Sequence, residues 1–253
     1  MLPIIVMPLH DPNGIMFNHL KSITPKLKDI FGQAIVSITK ETTQKQYQYA
    51  SWLETQKFFR ILSHKVDLTI GEDFLMLYAF AAACCQHDQI LHLCFIDRVA
   101  FALQSNYSKV FIEDVQGVRQ EDTPLIFRRS EKAWRSHPRN YFALEQMVTQ
   151  VGKFLFGKEL DFGWCHLALQ AHRLKTILPF IQNRDLSMVA EMVLLLRDEI
   201  RSKDVDWLGW EDPYIYARNP TELKTEREQS KEEVRKRLSY VIPMLKLLYK
   251  AVC

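Results

Sequence analysis

Ile90-Leu91-His92-Leu93-Cys94-Phe95-Ile96-Asp97-Arg98 is an apolar run of strand length closed by a charged pair. Such a run, without strict alternation, suits a strand of a parallel sheet that is covered on both faces. Upstream, Ile4 to Leu9 is a similar run, stopped by the turn formers Asp11-Pro12-Asn13-Gly14. Ala34 to Ile38 gives another, ending at Thr39-Lys40. Between these two, Ile15, Leu20, Ile23, Leu27 and Ile30 approximate a helical stripe that Pro25 should break. Residues 41–62 read as a polar and aromatic helical region. Thr69-Ile70-Gly71-Glu72 has capping-box spacing and opens an apolar helix, Phe74 to Cys85.

Strand, helix, strand, helix, strand is the rhythm of an α/β fold, a Rossmann-like sheet flanked by helices. Ligands of such sheets bind outside the carboxyl ends of the strands. Those ends carry His10-Asp11, Thr39-Lys40 and Asp97-Arg98. Downstream, Lys109 to Ile112 and Leu125 to Arg128 are candidate strands, and residues 138–155 and 186–202 candidate helices. Asp206 to Arg218 reads as an aromatic and acidic loop, and residues 222–252 as one long helix kinked at Pro243. The division expected is a main domain over residues 1–220 with a helical extension of it over 221–253.

The whole chain fits this picture. Its 253 residues are 47% hydrophobic and 25% charged, as in soluble globular proteins, and large enough to bury a core without staples. Only 8 Gly and 10 Pro exclude collagen-like and disordered classes. A net charge of +3 is too small to imply a nucleic-acid partner, and none is expected. The 5 Cys are an odd count with no CxxC and no Cys/His ligand pattern, so neither a disulfide framework nor structural zinc is expected, and a reducing cytoplasm fits best. The longest apolar run has 12 residues, short of the roughly 20 that span a bilayer. MLPIIVMPL lacks a basic n-region and reads as a strand rather than a leader.

Several side chains are candidates for chemistry. A carboxylate just past a hydrophobic strand, as Asp97 is, can hold a divalent cation or a ribose hydroxyl; the alternative is a helix cap. His10-Asp11-Pro12-Asn13-Gly14 offers close backbone approach to a base or phosphate, or an ordinary turn. Arg128, Arg129, Lys132, Arg135, His137 and Arg139 surround Trp134; guanidinium forks there suit phosphates, single-stranded nucleic acid or plain solvent. Glu145, Asp161 and Glu211-Asp212 are acids near aromatic residues, which can serve as bases beside sugar rings. The mixed-sign stretch Glu222 to Arg237 reads as a solvated face. GxGxxG, the P-loop pattern and GxSxG are all absent.

In order, PLHDPNG, the strand ending IDR, the block FRRSEKAWRSHPRNYFALE, LDFGW and the late DWLGWEDP resemble a bacterial majastridin-like group of GT-A nucleotide-diphospho-sugar transferases. The resemblance runs over most of residues 3–218. It implies the GT-A fold and a donor pocket at the strand ends, with His10, Asp11 and Thr39 at the nucleotide and Arg98 and Arg128 on its phosphates. Asp97 would match the last acid of the family's DxD motif and hold Mn²⁺ or Mg²⁺ with the diphosphate. Phe95 stands where the first acid belongs, which leaves one carboxylate. Asp161 or Glu211 would be the catalytic base on the side of an unknown acceptor. The resemblance implies sugar transfer; the missing acid fits, as the alternative, a catalytically silent binding or scaffold protein.

Overall fold

A computed structural model describes residues 2–252. Seven strands form one mixed sheet: β1 (Ile4–Leu9), β2 (Gln33–Ile38), β3 (Phe59–Ser63), β4 (Ile90–Cys94), β5 (Leu125–Arg129), β6 (His166–Gln170) and β7 (Arg201–Val205). Their order is β3-β2-β1-β4-β6-β5-β7. Parallel pairing joins β1 to β2 and β4, β2 to β3, and β5 to β7, whereas β6 runs antiparallel to β4 and β5. Only β6 is reversed. The chain thus enters β6 at the edge where β1 to β5 and β7 end, and one sheet edge collects the turns after six strands and the one before β6.

The apolar runs fold as expected because their side chains alternate between two cores. Ile5, Met7 and Leu9 face one layer, with helices Ile15–Ile30, Ile96–Gln104 and Ser108–Gln116. Val6, Leu91 and Leu93 face the other, with helices Ile70–Cys84, Ala171–Ile177 and Met188–Leu196. Thr69 and Glu72 form the reciprocal cap anticipated from their spacing. The Thr69 hydroxyl also donates to the carbonyl of Arg184, where the helix passes so close that a Cβ on Gly71 would lie 2.3 Å from the backbone.

Five expectations need correction. The first helix continues through Pro25, because the carbonyl that proline leaves without a donor belongs to exposed Lys21, within reach of water. Residues 41–62 divide into helices Lys40–Lys45 and Tyr47–Thr55 and then the edge strand β3. Lys109 to Ile112 is helical, within Ser108–Gln116; Phe111 and Val115, one turn apart, supply its buried face. The segment 186–202 is helical only over Met188–Leu196 and then becomes the edge strand β7. Residues 222–252 break at Ser230, which ends helix Pro220–Gln229 and caps Lys231–Lys250 through the amide of Glu233. Pro243 stays inside that last helix, whose Val241, Met244 and Leu248 enter the second core.

Candidate functional site

Two cavities open along the carboxyl edge, of about 410 and 310 Å³, and both are lined by Phe95, Asp97, Asp212 and Tyr216. They form one cleft with Asp97 at the junction. The larger cavity lies over the ends of β1 and β2 and is walled by Pro8, Met16, Ile70, Phe74 and Ile215. The smaller lies over β4, β5 and the β6 entry, roofed by the C-terminal helices.

In the larger cavity the structure brings His10 and Thr39 together: His10 Nδ1 lies 3.0 Å from Thr39 Oγ1, and the hydroxyl donates onward to Thr42. Asp73 contributes a carboxylate whose Oδ1 accepts from buried His64 at 2.8 Å. Asp11, expected at the nucleotide, is instead spent on the fold. Both of its oxygens accept backbone amides, from Ile15 at 2.9 Å and Phe17 at 2.8 Å, which caps the helix that follows the Gly14 turn.

Asp97 sits in the first turn of Ile96–Gln104, where a carboxylate is favoured by the helix dipole. One oxygen accepts from the amide of Arg98 at 2.8 Å; the other has no protein donor among the described residues. Of the acids that line the two cavities, Glu145, Glu211, Asp212 and Glu233 are all in ion pairs with arginine, and Asp73 is paired with His64. Among the described residues, Asp97 alone of these acids has no cationic partner. Phe95, where a first DxD acid would stand, is stacked on Trp164 at 6.4 Å and packed on Phe74 at 5.6 Å, so its ring is part of the wall.

The smaller cavity is lined by a charge network. Arg98 pairs with Glu211 and reaches the Gly209 carbonyl at 3.2 Å and His137 Nε2 at 3.3 Å. Burial, then the nearby Arg98 and Arg129, hold His137 far below the usual imidazole range, which matches a neutral ring donating from Nδ1 to the Ala133 carbonyl. Arg129 is buried against Trp134 and joins Glu145 at 2.5 Å and Asp161 at 3.1 Å. Arg237 stacks 3.6 Å from the Tyr141 ring centroid and bonds Glu145 from the other side at 2.8 Å. Burial opposes ionisation of Glu145, but Arg129 and Arg237 outweigh it and bring its pKa down to about 2. Lys236, exposed on the last helix, is the one lining cation without an ion pair among the described residues.

Of the residues singled out from sequence, the cleft therefore gathers His10, Thr39, Asp97, Arg98, Arg129, Glu145, Glu211 and Asp212. Arg128 does not join them: it faces away, bonded to Asp204 at 2.6 Å and Glu159 at 3.1 Å, and lines a separate cavity with Asp161. Asp161 is buried and both of its oxygens accept from Arg129, through Nε and Nη2, so it presents no free oxygen to the cleft. The basic block is largely neutralised internally, through Arg129, Arg128–Asp204, Lys132–Asp206 and Arg135–Glu131. The stretch expected to be a solvated face supplies Arg227, Glu233, Lys236 and Arg237 to the cavity. Tyr141 and Tyr240 were also missed, though their spacing from the charged residues on the same helices was visible.

The fold and its edge cleft define an α/β architecture of GT-A type. No protein-family model matches the chain, and no curated protein matches it. Among solved structures it is similar to glucosyl-3-phosphoglycerate synthase from Mycobacterium tuberculosis in complex with uridine diphosphate. That match has 12% identity and a TM-score of 0.50 and covers 95% of this chain and 80% of the other. The same enzyme with Mn²⁺, uridine diphosphate and phosphoglyceric acid matches with the same identity and TM-score, over 95% and 78%. A crystal structure of a mycobacterial protein matches at 14% identity and TM-score 0.50 over 82% of this chain and 65% of that one, so this chain spans less than two thirds of that protein's length. At such identities the likeness is one of fold. No helix among the described residues is long and apolar enough to cross a membrane.

Proposed function

We propose that this protein is a glycosyltransferase that binds a nucleotide-diphospho-sugar in the larger cavity and transfers the sugar to an acceptor in the smaller one. The observation that carries this is Asp97, the one unpaired carboxylate of the cleft, at the junction where a donor's diphosphate would lie. Residues 1–220 would form the donor-binding domain, and 221–253 would complete the acceptor side, in a cytoplasmic protein. The narrower likeness to the majastridin-like group rests on the sequence motifs alone.

A divalent ion fits this donor set in a limited way. Mn²⁺ or Mg²⁺ is commonly held by one or two carboxylates together with substrate phosphates. Asp97 offers one free oxygen, and Asp212, the other acid shared by both cavities, is engaged by Arg227 at 3.7 Å. Asp97 with the donor diphosphate would hold the ion, which would neutralise charge on the leaving nucleotide. The chain's own residues would orient the donor: Pro8 and Phe74 offer apolar wall to a base, and His10 and Thr39 offer hydrogen bonds to the nucleoside. Lys236 supplies the free positive charge on the acceptor side.

One feature favours binding without transfer. Every carboxylate lining the acceptor cavity other than Asp97 is tied to arginine, and Glu145 at a pKa of about 2 is a poor proton acceptor near neutrality. Calorimetry with UDP- and GDP-sugars and Mn²⁺ tests donor binding, and release of free nucleotide over time then separates a transferase or hydrolase from a silent binder. Absence of binding to any nucleotide-sugar would sink both forms of the proposal.

A further inference from the structure

We propose that His87, Asp88 and His172 form a site for a divalent transition ion of the Zn²⁺ class, at the sheet edge opposite the cleft. Their candidate ligand atoms all lie within 4.8 Å of one another. His87 and Asp88 occupy the turn before β4, and His172 follows β6, whose end lies beside the start of β4 because Ile90 pairs with Gln170 antiparallel. Backbone bonds fix this approach: Ala171 donates to the Gln89 carbonyl at 2.9 Å and His172 to that of His87 at 3.1 Å. Gln120 holds the Asp88 carbonyl at 3.1 Å.

The side chains converge on Asp88. Its Oδ1 lies 2.7 Å from His87 Nδ1 and 3.7 Å from His172 Nδ1, and the two imidazoles stack in parallel with centroids 4.1 Å apart. A tetrahedral ion with bonds of about 2.0–2.1 Å sets its ligands about 3.3 Å apart. The observed spacings bracket that value, and ligation would rotate the two rings about Cβ–Cγ out of their parallel stack to bring both in-plane lone pairs to a shared point. His172 Nδ1 now contacts the His87 carbonyl at 3.0 Å; ligation would release that contact, but the amide of His172 still satisfies the carbonyl. Two imidazoles and one carboxylate suit Zn²⁺ far better than Mg²⁺, which prefers oxygen alone. His87 and Asp88 are exposed, so an ion has direct access, with water completing its shell. Bound there, it would clamp the β4–β6 pair at the centre of the sheet.

Titration calorimetry of the full chain with ZnCl₂, without nucleotide, tests this. A single Zn²⁺ event is expected, with none for Mg²⁺ at the same concentration. His87→Ala and His172→Ala should each weaken it by more than about tenfold, while Asp97→Ala leaves it unchanged. Circular dichroism checks folding, and His172→Gln replaces any variant that fails to fold. No Zn²⁺ binding by the wild-type chain would overturn the site. So would unchanged affinity in both histidine variants, which would move the ion to Cys84 and Cys85 or to the cleft.

Discussion

Acidification should begin to destabilise this protein above the carboxylate range, because two imidazoles are sealed in the sheet. His92 on β4 and His166 on β6 share a hydrogen bond of 2.8 Å and are enclosed by Phe31, Phe111, Phe127 and Trp207. The second nitrogen of each ring, His92 Nε2 and His166 Nδ1, has no partner. Burial lowers the His92 pKa from 6.5 to about 3, and burial with the adjacent His92 lowers that of His166. The native chain therefore refuses protons that the unfolded chain accepts below pH 6.5. Stability from the two rings is complete above that pH and drains away as the pH falls toward the depressed native values. A ring kept neutral loses about 1.4 kcal/mol per pH unit below 6.5, so His92 removes roughly 2 kcal/mol by about pH 5 and His166 acts in the same direction, against a typical total of about 5–15 kcal/mol. Urea unfolding between about pH 7 and 5 measures this, and His92→Leu/His166→Leu isolates it. The variant's stability should decline less steeply with acid, by an uptake of at least about one proton. Parallel pH dependences for variant and wild type would refute the reasoning.

Two further substitutions probe the helix Arg139–Phe156. Glu145→Gln should destabilise the chain by roughly 3 kcal/mol at neutral pH, the worth of a shift from 4.5 to about 2. That contribution is full above pH 4.5 and is lost only on descending toward 2; equal urea midpoints at pH 7 would discard it. Gly152→Ala places a Cβ 2.0 Å from Phe162 Cε2 in helix Arg139–Phe156, so a loss of about 1–3 kcal/mol is expected from overpacking. An unchanged melting temperature would show that Phe162 moves aside freely.

The half of the sheet built from continuous apolar runs was legible because β1, β2 and β4 are buried on both faces and need no particular pattern beyond hydrophobicity. The edge strands hid for the opposite reason. Arg201–Val205 is polar and mostly exposed, as edge strands often are, and it reads like the tail of the helix before it. At the site, the rule that ligands meet strand ends found His10, Thr39 and Asp97. Arg128 and Arg129 show where sequence runs out: alternation on β5 sends one to Asp204 and the other into the cleft network, and only register decides which. Likewise the C-terminal charges looked solvated because Arg237 and Glu145 are 92 residues apart, and nothing local signals their bond.

The central claim is that Asp97 holds a divalent ion against a donor diphosphate. Calorimetry of UDP and GDP binding, with and without Mn²⁺, in the wild type and in Asp97→Asn tests it directly. The account predicts that Mn²⁺ strengthens nucleotide binding in the wild type by at least about tenfold and has no effect in the variant, whose circular dichroism is unchanged. A folded Asp97→Asn chain that keeps the full Mn²⁺ enhancement would contradict it.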